Sequence, residues 1–165
     1  MKITEQLKYF LFRQDVAIVG TLTSDKHIHT SIKGILDINQ EITKIVLIDL
    51  FHGHTYRNIK LNPEINLTVM SEPEFLGYSI QGKAKLVPIA DSDARDITLW
   101  EQHLNSRICD RMRLSLRTEG KGNKEKILKT NKDYYSLLFI KPKNLIEVTI
   151  DNIVDLSLIK MKEIK

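Results

Sequence analysis

The chain has 165 residues, enough for one domain with a substantial core and too few for two full-sized ones. Hydrophobic residues make up 42% and charged residues 28%, which excludes the low-hydrophobicity balance of a disordered chain. A net charge of +4 is mild; it suits phosphate-bearing ligands and does not by itself indicate nucleic acid.

The single cysteine, Cys109, has no intrachain partner, so nothing depends on an oxidising compartment and a cytoplasmic location is expected. The first residues, MKITEQLKYFLFRQD, mix charge among apolar positions and carry no cleavage-site pattern. No stretch approaches the ~20 apolar residues that span a bilayer, so neither export nor membrane insertion is expected.

Ile3, Leu7, Phe10 and Leu11 fall at helical spacing over residues 3–13, with Thr4 placed to cap the start. VAIVGTLT, residues 16–23, is apolar on both alternating faces and rich in β-branched residues, which predicts a strand covered on both sides. Residues 27–38 predict a second strand, in which Gly34 marks a bulge, a bend or the close approach of a ligand. Asn39 and Gln40 turn the chain into a third strand over 42–50.

Gly53 then precedes a short helix stopped by Asn62 and Pro63. Strands resume at 65–70, where Ile65, Leu67 and Val69 alternate with polar positions, and at 79–86, where Ile80, Gly82, Ala84 and Leu86 do the same. Ile97, Trp100, Leu104, Ile108 and Met112 form a helical stripe running to about residue 117. A lysine-rich connector follows, and residues 135–142 and 144–150 read as two closing strands. Antiparallel strands at short spacings with helices between pairs predict a small barrel rather than a doubly wound sheet.

The segment carrying chemistry is GHTYRNIKLNPEINLTV, residues 53–69. A helix N-terminus offers unpaired N–H groups and partial positive charge, and this one adds His54, the Thr55 hydroxyl and Arg57, a combination suited to phosphate. A helix start with a His and a Thr is also a common surface cap, so the pattern alone leaves both readings open.

Other constellations point to blander roles. His27 with His29 and His52 with His54 sit at two-residue spacing, yet no cysteine pair or HExxH pattern accompanies them, and no metal is expected. The basic run from Arg107 to Lys132 is interrupted by Asp110, Glu119 and Glu125, which favours a charged surface over nucleic-acid binding. Cys109 lies beside an apolar stripe with no His partner, as a buried small residue would. No catalytic triad, carboxylate pair, Walker loop or GxGxxG is present, and no catalytic side chain is nominated.

The junction resembles the flavin-binding signature of the pyridoxamine 5'-phosphate oxidase-like split-barrel family. That signature has a basic residue, Lys or Thr, and then x-x-Asn-Leu-x-x-Asn-Pro; the corresponding positions are His54, Thr55, Asn58, Ile59, Asn62 and Pro63. HTSIKGI, residues 29–35, is similar to the family's second strand, often written H-A-S-P-V-G-F; residues 78–87 and 133–148 are similar to its G-x-A strand and closing hairpin. The resemblance covers most of residues 8–150.

It implies a mainly β fold, an antiparallel split β-barrel with accessory helices. The barrel domain would occupy residues 1–150 with a helical and basic-loop insertion at about 91–133, leaving 151–165 as a tail. It further implies FMN bound at a homodimer interface. Ser31, Ile32 and Lys33 would face the ribityl chain and ring largely through backbone groups, Ile48 and Asp49 would continue that wall, and His54 with Thr55 would hold the phosphate, assisted by Arg57. Asn58 would fix the helix. Two positions depart from the family pattern: His54 replaces a common Lys or Arg, and Asp49 stands where many relatives have Thr. The implied activity is electron transfer from a reduced nicotinamide or another donor to a small substrate, without the arginine-rich C-terminal segment of true pyridoxamine phosphate oxidases. The alternative is a non-catalytic module holding FMN, haem or a deazaflavin on the same dimeric barrel.

Overall fold

The computed structural model describes residues 2–92, 94–102 and 142–157. Helix α1 (Glu5–Gln14) starts where the Thr4 hydroxyl accepts a hydrogen bond from the Leu7 N–H at 3.2 Å, and it buries Leu7, Phe10 and Leu11 as the spacing predicts. Asp15, in the left-handed region at φ 63°, ends it and turns the chain into β1 (Val16–Leu22).

Strands β2 (Ile28–Asn39), β3 (Lys44–Asp49), β4 (Glu64–Ser71), β5 (Leu76–Pro88) and β6 (Asn144–Asp155) complete the sheet. Helix α2 (His54–Leu61) joins β3 to β4; a 3-10 turn (Ile89–Asp91) and the helical residues 94–102, α3, follow β5. The strands close into an antiparallel barrel in the order β1-β2-β3-β6-β5-β4. Closure leaves few exposed sheet edges that would invite pairing with other chains.

One core fills the barrel. Val19, Ile35, Ile45, Leu47, Leu67, Ile80, Ile146 and Val148 meet there under α1. A second cluster lies outside the sheet, where Trp100 of α3 packs on Leu36, Val46, Ile48 and Leu145. Burying each such side chain stabilises the fold by roughly 1.5–3 kcal/mol.

The long strand β2 changes partner partway along. Ile28–Gly34 pairs with β1, while pairing with β3 begins at Ile35 and is shifted by a bulge between Ile35 and Asp37. Gly34 therefore marks a handover between partners. No strand among the described residues pairs with the other edge of β2 between Ile28 and Gly34, and this is the split in the barrel.

Three expectations are corrected. Within this chain β1 is covered on one side only: Val16, Ile18 and Leu22 are exposed, because only its inner face meets the core. The third strand begins at Lys44, since Thr43 at φ 50° belongs to the preceding turn. The last strand does not stop at residue 150 but pairs with β5 through Asp155, crossing the expected boundary of the tail. A register shift between Gln81 and Gly82 accommodates it, where a Cβ on Gly82 would collide with the Thr149 carbonyl. The expected helix beyond residue 102, with Cys109 and the basic run, lies outside the described residues, as does all but Pro142 of the strand expected over 135–142.

Candidate functional site

The site is built where the free part of β2 meets the β3–α2 connection. Across the β1–β2 ladder His29 faces Thr21, Ser31 faces Val19 and Lys33 faces Ala17. Directly opposed residues share a face. Thr21, Val19 and Ala17 are buried, so His29, Ser31 and Lys33 form an inward stripe. Ile32 points the other way and is 71% exposed.

Each member of the stripe meets a residue at the end of β3 or the start of α2. The His29 and His54 rings lie 5.2 Å apart at 38°. The hydroxyls of Ser31 and Thr55 are hydrogen bonded at 2.8 Å. The Lys33 ammonium is ion paired with the Asp49 carboxylate. Three consecutive inward positions of β2 thus fasten the junction that opens α2.

Helix α2 is anchored from beneath. The buried Asn58 amide donates to the Thr21 hydroxyl at 3.0 Å, which fixes the helix against β1. Its start is open among the described residues: the N-cap Gly53 supplies no side-chain cap, no acidic residue lies in the first turn, and a Cβ at Gly53 would meet nothing within 4 Å. Exposed His54 and Arg57 flank this end. Uncapped N–H groups beside imidazole, guanidinium and two hydroxyls suit an anion such as a phosphate group.

Not all of the expected residues gather here. Ser31, Lys33, Asp49, His54 and Thr55 come together, and Arg57 closes the first turn of α2, its N–H donating to the Gly53 carbonyl. Ile48 faces the opposite side of β3 and packs on Trp100, away from the helix start. Asp49 is 0% exposed; one carboxylate oxygen bonds Lys33, and the other, Oδ2, has no hydrogen-bond partner among the described residues. Its neighbour across the β3–β6 ladder, Asn144, is also buried, and its Nδ2 has no partner among the described residues. Thr21 and His29 were not foreseen as part of the site. Thr21 carried no sequence signal, whereas His29 was noted in a pair with His27 and as the first residue of the HTSIKGI segment, without a role in the site.

His52 stacks on Tyr56 at 4.2 Å and Lys60 lies over the same ring at 4.7 Å, covering another side of α2. Among the described residues no group of three or more potential ligands can hold a metal ion. No helix of the described residues is long and apolar enough to cross a membrane.

A six-stranded antiparallel barrel with a short, open-ended helix at its split is the architecture of the pyridoxamine phosphate oxidase-like barrels. The family model described as pyridoxamine 5'-phosphate oxidase matches residues 3–119, and the chain belongs to that family. Among solved structures, HupZ of Group A Streptococcus is 17% identical with a TM-score of 0.59, over 94% of this chain and 95% of its own. An F420 reductase is 13% identical with a TM-score of 0.57, over 92% and 98%. HutZ, the haem storage protein of Vibrio cholerae, is 16% identical with a TM-score of 0.50, over 93% and 94%. At such identities the likeness is one of fold. No curated protein matches the sequence.

Proposed function

We propose that this chain is a homodimeric FMN-binding flavoprotein that passes electrons between a reduced nicotinamide, or a similar donor, and a small substrate. The observation that carries the reading is the open N-terminus of α2, held against β2 by the Ser31–Thr55 hydrogen bond and flanked by His54 and Arg57. The α2 N–H groups, with His54 and Arg57, would hold the terminal phosphate, and Thr55 would be kept in place by Ser31. The unpaired edge of β2 between Ile28 and Gly34 offers backbone donors and acceptors to the rest of the ligand. When bound, the isoalloxazine ring supplies the redox chemistry, and the protein's share is orientation and electrostatics.

A second copy of the chain fits the outer face of β1 and β2. Val16, Ile18, Leu22, Ile28 and Ile32 expose apolar surface there, beside an open groove of about 420 Å³ that also reaches Asn66 and Gln81. A contiguous apolar sheet face of this kind marks an interaction surface, and an isologous pairing would cover it in both copies.

A haem-holding module is the second reading, and the adjacent imidazoles of His29 and His54 favour it. One titration separates the two. FMN binding with flavin absorbance and quenched fluorescence supports the flavoprotein; a Soret band that saturates with haem, in protein indifferent to FMN, replaces it with the second reading. Bleaching of the bound flavin by NADH or NADPH then distinguishes a reductase from a carrier.

A further inference from the structure

The geometry points to Asp49 as the residue that sets how strongly this site attracts an anion, by cancelling the charge of Lys33; this rests on the reading of α2 as the phosphate end of a flavin site. Lys33 lies two residues along β2 from Ser31, roughly 7 Å at strand spacing, and Ser31 bonds Thr55 in the first turn of α2. A free ammonium there would add a full positive charge beside the open helix end. Asp49 is ion paired with it instead.

The pair is asymmetric. The Lys33 side chain is 15% exposed and that of Asp49 is 0% exposed, so the cation is the outer member and the carboxylate sits behind it. A buried carboxylate with one oxygen unbonded gives little stability, because its desolvation is only partly offset by one partner. A neutral side chain of similar size would fill the same space without that penalty. What the carboxylate adds is charge: it reduces the wall of β2 from a cation to a nearly neutral dipole. Attraction of the anion is then left to the α2 terminus, His54 and Arg57.

The consequence is selectivity by charge. With Asp49 present, the site distinguishes a phosphorylated flavin from an unphosphorylated one less sharply than the same site with Lys33 unpaired. At roughly 10 Å in a partly buried setting, one unit charge changes the affinity for an anion by about five- to tenfold.

The test is flavin fluorescence titration of FMN and riboflavin, at low and high salt, into the wild type, Asp49→Asn, Asp49→Thr and the double variant Lys33→Met with Asp49→Asn. The neutralised single variants are expected to raise the ratio of FMN to riboflavin affinity about five- to tenfold at low salt, with the gain shrinking at high salt. The double variant is expected to return to the wild-type ratio. An equal ratio in wild type and both single variants, parallel shifts for FMN and riboflavin included, overturns the role given to Asp49 and leaves the flavin site standing. A wild type that binds neither flavin removes both. Asp49→Thr, a smaller neutral replacement, keeps the result decisive should Asp49→Asn fail to fold.

Discussion

Lys33 on β2 and Asp49 at the end of β3 form an ion pair across the split in the barrel, with the carboxylate wholly buried. Breaking such a pair from the lysine side leaves a buried charge without its partner. Lys33→Met is therefore expected to destabilise the protein by about 3–5 kcal/mol, whereas adding Asp49→Asn to it should recover most of the loss. Urea denaturation of the single and double variants checks this, and equal stability of the two would mean that the carboxylate finds another partner.

The His54 and Thr55 pair is expected to act on ligand more than on fold. His54 is exposed, and the buried Thr55 has the Ser31 hydroxyl as its recorded side-chain partner, so replacing both by Ala should cost about 1–2 kcal/mol of stability. FMN affinity should fall by more than tenfold, since an imidazole N–H donor and an ordered hydroxyl leave the helix end together. Unchanged affinity, measured by fluorescence titration, would place the phosphate elsewhere.

Asn58 tests the placing of α2. Its amide and the Thr21 hydroxyl are both buried and bond each other at 3.0 Å. Asn58→Ala leaves Thr21 unsatisfied and should destabilise the fold by about 1–3 kcal/mol. Thr21→Val combined with Asn58→Leu, which removes both polar groups, should cost less than the sum of the single changes. Strict additivity in a thermal-melt cycle would show that the two side chains do not cooperate.

The apolar outer face makes its own prediction. Ile28 is 77% exposed and Ile32 71%, far more than such residues retain inside an interface. Replacing both by Glu is expected to turn a dimer into a folded monomer in sedimentation experiments, because two charges would face their own copies across an isologous contact. A wild type that is already monomeric at micromolar concentration would remove the shared interface.

Much of the barrel was legible in the sequence because alternation reports burial directly. Ile65, Leu67 and Val69 point inward as their spacing predicts, and Thr4 caps the helix it precedes. The reading of β1 went too far for the same reason: an apolar residue signals a need for cover, and Val16, Ile18 and Leu22 do not find it within their own chain. The helix start at residues 53–55 was also visible, since Gly followed by His and Thr is a local pattern. Its cross-links were not. Lys33 with Asp49, His29 with His54, and Thr21 with Asn58 are separated by 16, 25 and 37 residues respectively, and only barrel closure sets which of them meet. Even the misplacement of Ile48 has this origin, because two neighbours on one strand face opposite sides and only one can line a site.

Tyr78 carries the pH dependence that the structure makes explicit. Burial pushes its phenol above the ordinary value of 10.0, and the carboxylate of Asp155, opposite it on the β5–β6 ladder, adds to the rise. The ring also meets Phe10 edge-on at 5.2 Å, so it cannot turn its hydroxyl outward without losing that contact. A raised value in the folded state means that the unfolded chain releases the proton first. Stability is therefore complete below about pH 10 and falls as pH rises from there toward the folded-state value. Tyr78→Phe should flatten this alkaline loss in denaturation curves recorded between about pH 8 and 11, and Asp155→Asn should reduce its extent only slightly, as the smaller cause, leaving its onset where it was. An alkaline limb identical in wild type and Tyr78→Phe would assign the loss to another group.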